Sequence, residues 1–292
     1  MEKENRKYKD SMFVDLFYED ENAEENDISL YNALHEEPLP EGTKIEKIRV
    51  EDILYMNFKN DISFGVGGKV LVFGEHQSTI NENMPLRSLL YAGRAYEQIV
   101  PIRDRYKTGL VKIPASEFYT FYNGTESIEK ELELKLSDAF IMKQKKPMLE
   151  LSVKVININP DEHHEILDKC KVLKEYGLFI DLVRKNREQN IAEPIKEAIR
   201  EALSKGILSD YLKRKGSEVV NFLTAEYDYN MDIEVKCEEA EQRGEIRGEA
   251  RGEEKFAALN KKLLEEKRYD ELEKIITDEE YRSRLYKEYK IV

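Results

Sequence analysis

The chain changes hydrophobic period several times, and each change predicts an element. In KYKDSMFVDLFYED, Tyr8, Met12 and Leu16, with Phe13 and Phe17 beside them, recur at helical spacing and share one face. Residues 45–58 fit a strand or a short helix equally well. DISFGV and KVLVFGEHQS are apolar, β-branched-rich runs on either side of Gly67-Gly68, which predicts a hairpin. NENMPLRSLLYAGRAYEQIV predicts a helix, with an asparagine cap and Pro85 near its first turn. GLVKIP, SEFYTFYNG and LELSVKVINI predict further strands. NPDEHHEIL predicts a helix start: Asn159 as cap, Pro160 first, and Asp161 and Glu162 in the first turn. From there to the end the pattern is almost wholly helical. This order predicts a mixed α/β (α+β) core with a helical C-terminal half.

Within that half, EQRGEIRGEARGEE (241–254) repeats every four residues. Gly244, Gly248 and Gly252 form one helical stripe, Arg243, Arg247 and Arg251 a second, and Glu245, Glu249 and Glu253 a third. In an isolated helix each glycine costs about 1 kcal/mol against alanine, and like charges follow one another along each stripe. A partner helix repairs both faults, so a homo-oligomer, a dimer through helical segments, is expected. A half-disordered charged tail is the equal alternative. The expected division is a core over 1–160, a helical region packing on or beside it over 161–236, and a charged helical tail over 237–292.

Composition narrows the class. At 292 residues the chain is 37% charged, above the usual quarter or so, as expected of long solvated helices. No apolar run reaches the roughly 18 residues of a membrane span, and MEKENRKYKD has no apolar h-region. Cys170 and Cys237 have no CxxC spacing, so reduced thiols and a cytoplasmic location are expected. The net charge of −13 argues against a protein that simply coats nucleic acid. It leaves room for an enzyme that touches nucleic acid locally and through a divalent metal.

The chemistry centres on VLVFGEHQST (70–79). A strand this apolar should be buried, yet it runs into Glu75 and Gln77, which share a face with Leu71 and Phe73. A buried carboxylate needs a partner, and the candidate is Asp61 across the hairpin. A two-residue Gly67-Gly68 turn pairs Val66 with Lys69 and sets Asp61 opposite Gly74, on the wrong face. A three-residue loop at Val66 to Gly68, or a bulge at Gly74, absorbs the odd residue and brings Asp61 to the face of Glu75 and Gln77. Two converging carboxylates repel unless a cation lies between them or one is protonated. A hard divalent ion, Mg²⁺ first with Mn²⁺ or Ca²⁺ as alternatives, answers that need.

KNDISF, VLVFGEHQST, NMPLR and LLYAGRAYE together resemble the recombination-promoting nuclease (Rpn) family, also described as PD-(D/E)XK nuclease family transposases. KYKDSMFVDLF, IPASEFYTFYNG, KLSDAF, VKVININ, EYDYNMDIE and the last segment, KKLLEEKRYDELEKIITDEEYRSRLYKEY, extend the resemblance over nearly the whole chain. It implies a restriction-endonuclease-like PD-(D/E)XK core over 1–160 and a magnesium-type, metal-dependent DNA endonuclease, with a part in recombination, transposition or defence against foreign DNA. Asp61 then matches the motif aspartate and Glu75 the acidic residue of the triad. Gln77 stands where most of the superfamily has lysine, and it can orient by hydrogen bonds but supplies no charge. That shifts electrostatic work to the metal or to a nearby cation such as Arg87. Arg87, Tyr91 and Arg94 share one helix face and are the DNA phosphate-contact candidates, the two arginines foremost. Asp10 is a further carboxylate candidate.

Other spellings carry less. Pro160-Asp161 reads as a helix start and Glu133-Leu134-Lys135 lacks a convincing partner aspartate. His163-His164 are adjacent rather than i, i+4, and His76 points away from Glu75 on a regular strand. The rival from another class is a non-catalytic DNA- or protein-binding assembly protein derived from a mobile-element nuclease, with structural carboxylates and the Arg-Gly-Glu helix as its working part.

Overall fold

The computed structural model describes residues 12–48 and 61–291, which divide into two compact units after Glu226. Tyr8 of the first predicted helix, and most of the 45–58 run, lie outside the described residues.

The first unit is built on a six-stranded mixed sheet ordered β1-β2-β3-β4-β6-β5. Its strands are β1 (Ile45–Lys47), β2 (Ile62–Val66), β3 (Val70–Gln77), β4 (Ala115–Tyr122), β5 (Glu131–Lys135) and β6 (Ser152–Asn157). β1, β2 and β3 form an antiparallel meander, β3, β4 and β6 run parallel, and β5 returns antiparallel beside β6. The parallel pairing of β3 with β4 requires a crossover. Helix α3 (Met84–Ile99) supplies it, with Pro85 in its first turn. β3 is buried because both of its faces are covered. Leu71 and Phe73 pack on Tyr91, Ala92 and Ala95 of α3. On the other face Phe64, Val66 and Val72 gather Tyr31, Leu39, Ile45 and Tyr119.

That second face also carries the start of the described chain. A short turn of α1 (Met12–Val14) continues as a π-helical turn over Asp15–Glu19, then α2 (Ala23–Leu34). Ion pairs tie this turn to the beginning of α7 (Ser209–Glu265). Lys215 and the Tyr211 hydroxyl bond Asp15, and Arg214 grips Asp20 through both its oxygens at 2.9 and 3.0 Å. α5 (Lys171–Glu188) and α6 (Pro194–Lys205) complete the unit. The second unit closes on Leu259 and Leu263 of α7, Ile275 of α8 (Tyr269–Thr277) and Leu285 of α9 (Glu279–Glu288).

Three local expectations are corrected. GLVKIP is not a strand: residues 109–114 are irregular and Leu110 is 91% exposed. β-propensity alone does not make a strand, and residues 109–114 pair with no strand among the described residues. Asn159 does not cap a continuous helix. Pro160–Glu162 is a single 3-10 turn, stopped at His163 by a left-handed φ of 49°, and α4 (Glu165–Lys169) starts afresh with His164 accepting the Ile166 amide at 3.0 Å. β5 adds a strand to those predicted, and its ELELK alternation is the period-two signal that marks it. The Arg-Gly-Glu repeat does lie in a helix, α7, and its three glycines are exposed with nothing within 4 Å of an added Cβ.

Candidate functional site

The parity of the hairpin decides whether a site exists. Val66 pairs with Val70 and Ile62 with Gly74, so Gly67, Gly68 and Lys69 form a three-residue connection. Gly67 and Gly68 take left-handed φ values of 53° and 66°, where glycine alone is unstrained. The Lys69 amide closes the turn on the Val66 carbonyl at 2.9 Å. The odd residue is therefore absorbed in the loop and not in a bulge. Gly74 serves a different end: a Cβ there would sit 2.7 Å from Ile62 Cγ1 across the strands, so the glycine makes room for the isoleucine. One step past the Ile62–Gly74 pair, Asp61 comes opposite Glu75. Its Oδ2 accepts the His76 amide at 2.8 Å, which extends the ladder and holds the aspartate at the mouth of the hairpin.

Glu75 is 5% exposed. Its Oε2 accepts a hydrogen bond from Arg87 Nη2 at 3.1 Å, across from the first turns of α3. Arg87 is braced in turn on the Tyr91 hydroxyl, at 2.9 Å from Nη2 and 3.3 Å from Nε. Arg87 thus links the buried Tyr91 hydroxyl to Glu75, and the Glu75 charge also acts on the phenol. Burial first, and then the Glu75 charge, push the Tyr91 phenol far up, so it remains a neutral donor. Burial opposes the charge on Arg87, but Glu75, Tyr91 and Asp61 together outweigh it and raise its pKa. The Asp61 contribution shows that one guanidinium lies within electrostatic reach of both carboxylates.

Gln77, two residues on from Glu75, donates from Nε2 to Met84 Sδ at 2.9 Å. Its buried Oε1 has no hydrogen-bond partner among the described residues. Arg94 instead bonds Glu97 at 2.6 Å on the exposed side of α3. Asp10 lies outside the described residues. His76 is on the opposite face of β3, stacked on Phe13 with ring centroids 5.1 Å apart and bonded to the Tyr176 hydroxyl at 3.1 Å. Its parity sets it away from Glu75.

The structure thus brings Asp61, Glu75, Gln77, Arg87 and Tyr91 to one place, between the sheet and the start of α3. Among the described residues no group of three or more His, Cys, Asp or Glu side chains is placed to hold a metal ion. The donor set is two carboxylates and one amide oxygen. These oxygens fit a hard divalent ion that keeps several of its waters, and the orphaned Gln77 Oε1 fits an acceptor for such a water. Among the described residues no helix is long and apolar enough to cross a membrane. No protein-family model, curated protein or solved structure matches the chain.

Proposed function

We propose that this protein is a divalent-metal-dependent DNA endonuclease with a restriction-endonuclease-like core, of the recombination-promoting nuclease kind that its sequence resembles. The observation that carries the reading is the three-residue turn. It brings Asp61 and Glu75 onto one face, next to Gln77 and the cation of Arg87. The mixed sheet, with α3 crossing between β3 and β4 over that face, supports it. Asp61 and Glu75 would hold the ion, with Gln77 beside them. When bound, Mg²⁺ lowers the pKa of its water and stabilises the charge that develops on the phosphodiester.

The chain's own residues supply the rest. The His76 amide fixes Asp61 and the Arg87–Tyr91 pair fixes Glu75, so both carboxylates are preorganised before substrate arrives. Gln77 orients water by hydrogen bonding. Arg87 provides, from α3, the fixed positive charge that glutamine in the lysine position cannot.

The test is a plasmid-cleavage assay with Mg²⁺, Mn²⁺ or Ca²⁺ against EDTA, on wild type and the Glu75→Ala and Asp61→Ala variants. Metal-dependent nicking or linearisation that falls at least a hundredfold in both variants is expected. Equal cleavage by wild type and variants would remove the assignment.

One observation favours a second reading. Arg87 already neutralises Glu75, so the carboxylate is balanced without a metal, as a binding or assembly protein would require. Calorimetry with Mn²⁺ separates the two, because the second reading predicts no binding that depends on Glu75.

A further inference from the structure

The row of residues that holds the carboxylates continues onto β4. In the parallel register Glu75 stands beside Thr120 and Gln77 beside Tyr122. Phe118, two residues before Thr120, packs on the Leu71–Phe73–Tyr91 cluster beneath α3. Alternation along β4 therefore turns Thr120 to the same side as Glu75. Neighbouring strands are about 4.8 Å apart, so Asp61, Glu75 and Thr120 form one line across three strands. Thr120 is 1% exposed, and its Oγ1 has no hydrogen-bond partner among the described residues.

A buried hydroxyl without a partner reduces stability. Valine has the same shape and suits a strand at least as well. Packing alone thus favours valine at position 120. Two buried, unsatisfied oxygens, Thr120 Oγ1 and Gln77 Oε1, moreover occur on the face that carries Glu75.

We propose that Thr120 is a further member of this site, its hydroxyl holding the water that attacks the phosphodiester; the inference rests on the nuclease reading above. In that reaction the water oxygen bonds to phosphorus and the bond from phosphorus to the departing oxygen breaks. One water proton passes to solvent and the departing oxygen takes one up, so only water and the diester are consumed. Thr120 neither gains nor loses a proton. It accepts a hydrogen bond from the water and so directs a lone pair at phosphorus.

The experiment uses the full chain as wild type, Thr120→Val and Thr120→Ser. Three quantities are read: Tm without metal, Mn²⁺ affinity by calorimetry, and kcat and KM for plasmid cleavage. Thr120→Val should raise Tm by about 2–4 °C, since it removes an unsatisfied hydroxyl. It should lower kcat about tenfold, the equivalent of one hydrogen bond lost in the transition state, with KM and Mn²⁺ affinity within about threefold of wild type. Thr120→Ser, which keeps the hydroxyl, should recover most of kcat. A Thr120→Val protein with wild-type kcat overturns the proposal while the nuclease reading stands. A fall in Tm together with kcat overturns it too, because it marks a packing role. If wild-type protein cleaves no DNA with Mg²⁺ or Mn²⁺, the nuclease reading itself fails and this inference fails with it.

Discussion

Replacing Arg87 by methionine would keep the aliphatic length of the side chain and remove the cation that faces Glu75. Glu75 is 5% exposed and the Arg87 side chain 18% exposed, so this is an interior pair and not a surface bridge. Removing one partner of a buried pair costs about 3–5 kcal/mol, because the remaining charge is left uncompensated. Arg87 keeps some contact with solvent, so the lower end, about 3 kcal/mol, is expected. For a unit of this size that corresponds to a fall in Tm of about 6–12 °C. Glu75→Gln in the same chain removes the stranded charge and should recover much of the loss. A double-mutant cycle should then give a coupling of about 2 kcal/mol. The chain has no tryptophan, so urea and thermal unfolding are followed by far-UV circular dichroism. A loss below about 1 kcal/mol in Arg87→Met, or a coupling near zero, would show that Glu75 does not depend on Arg87. The same variant bears on the site: with a competing cation removed, Arg87→Met should bind Mn²⁺ more tightly than wild type while cleaving DNA more slowly.

Two pH dependences follow from buried groups on the other side of the first unit. Burial pushes the Asp20 carboxyl up, but bonds from Arg214, the Asn22 amide and Lys215, with the Arg214 charge, outweigh it and hold its pKa at about 2 against 3.8 ordinarily. The folded value lies below the unfolded one, so this stability is present above pH 3.8 and is lost as pH falls through 2. It amounts to about 2 kcal/mol; urea unfolding of Asp20→Asn should differ from wild type by that much at pH 6 and progressively less below pH 4, whereas a constant difference would exclude the ion pair as its source. For His76, burial chiefly and then the Arg184 charge lower the pKa from 6.5 to about 4. The unfolded chain therefore binds the proton more readily, and stability is full above about pH 6.5 and declines toward pH 4, by up to about 3 kcal/mol. His76→Phe should flatten that part of the stability profile, and an imidazole that titrates near 6.5 by NMR would contradict the burial argument.

Much of the fold was legible along the chain because it depends on neighbours in sequence. The apolar run Val70–Phe73, the Gly67-Gly68 turn, the 3.6 spacing from Met84 to Ile99 and the helical second half are local patterns, and each became the element expected. β5 was equally local, in the strict alternation of ELELK. GLVKIP misled because strand character requires an edge to pair with, and nothing within six residues reveals whether one exists. Asn159 misled similarly: its side chain bonds the Asn157 side chain and the Gly124 carbonyl instead of capping a helix.

The candidate site was legible in its residue types but not in its geometry. Glu75, Gln77 and the Arg87–Tyr91 face could be named from alternation and helical spacing. Whether Asp61 belonged with them turned on one residue in a turn, since a shift of one exchanges the two faces of a strand, and both solutions are compatible with the letters. Tertiary structure chose the loop over the bulge because Ile62 lies across Gly74 and the pairing continues unbroken. The partner of Glu75 was likewise decided by where α3 crosses the sheet, which sets Arg87 on the carboxylate. Thr120 carries no signal of its own, 45 positions from Glu75 along the chain. Only the parallel register of β4 on β3 makes them neighbours. Local periodicity determined what the elements are; which polar groups meet was decided by how those elements pair and pack, an interaction between distant parts of the chain.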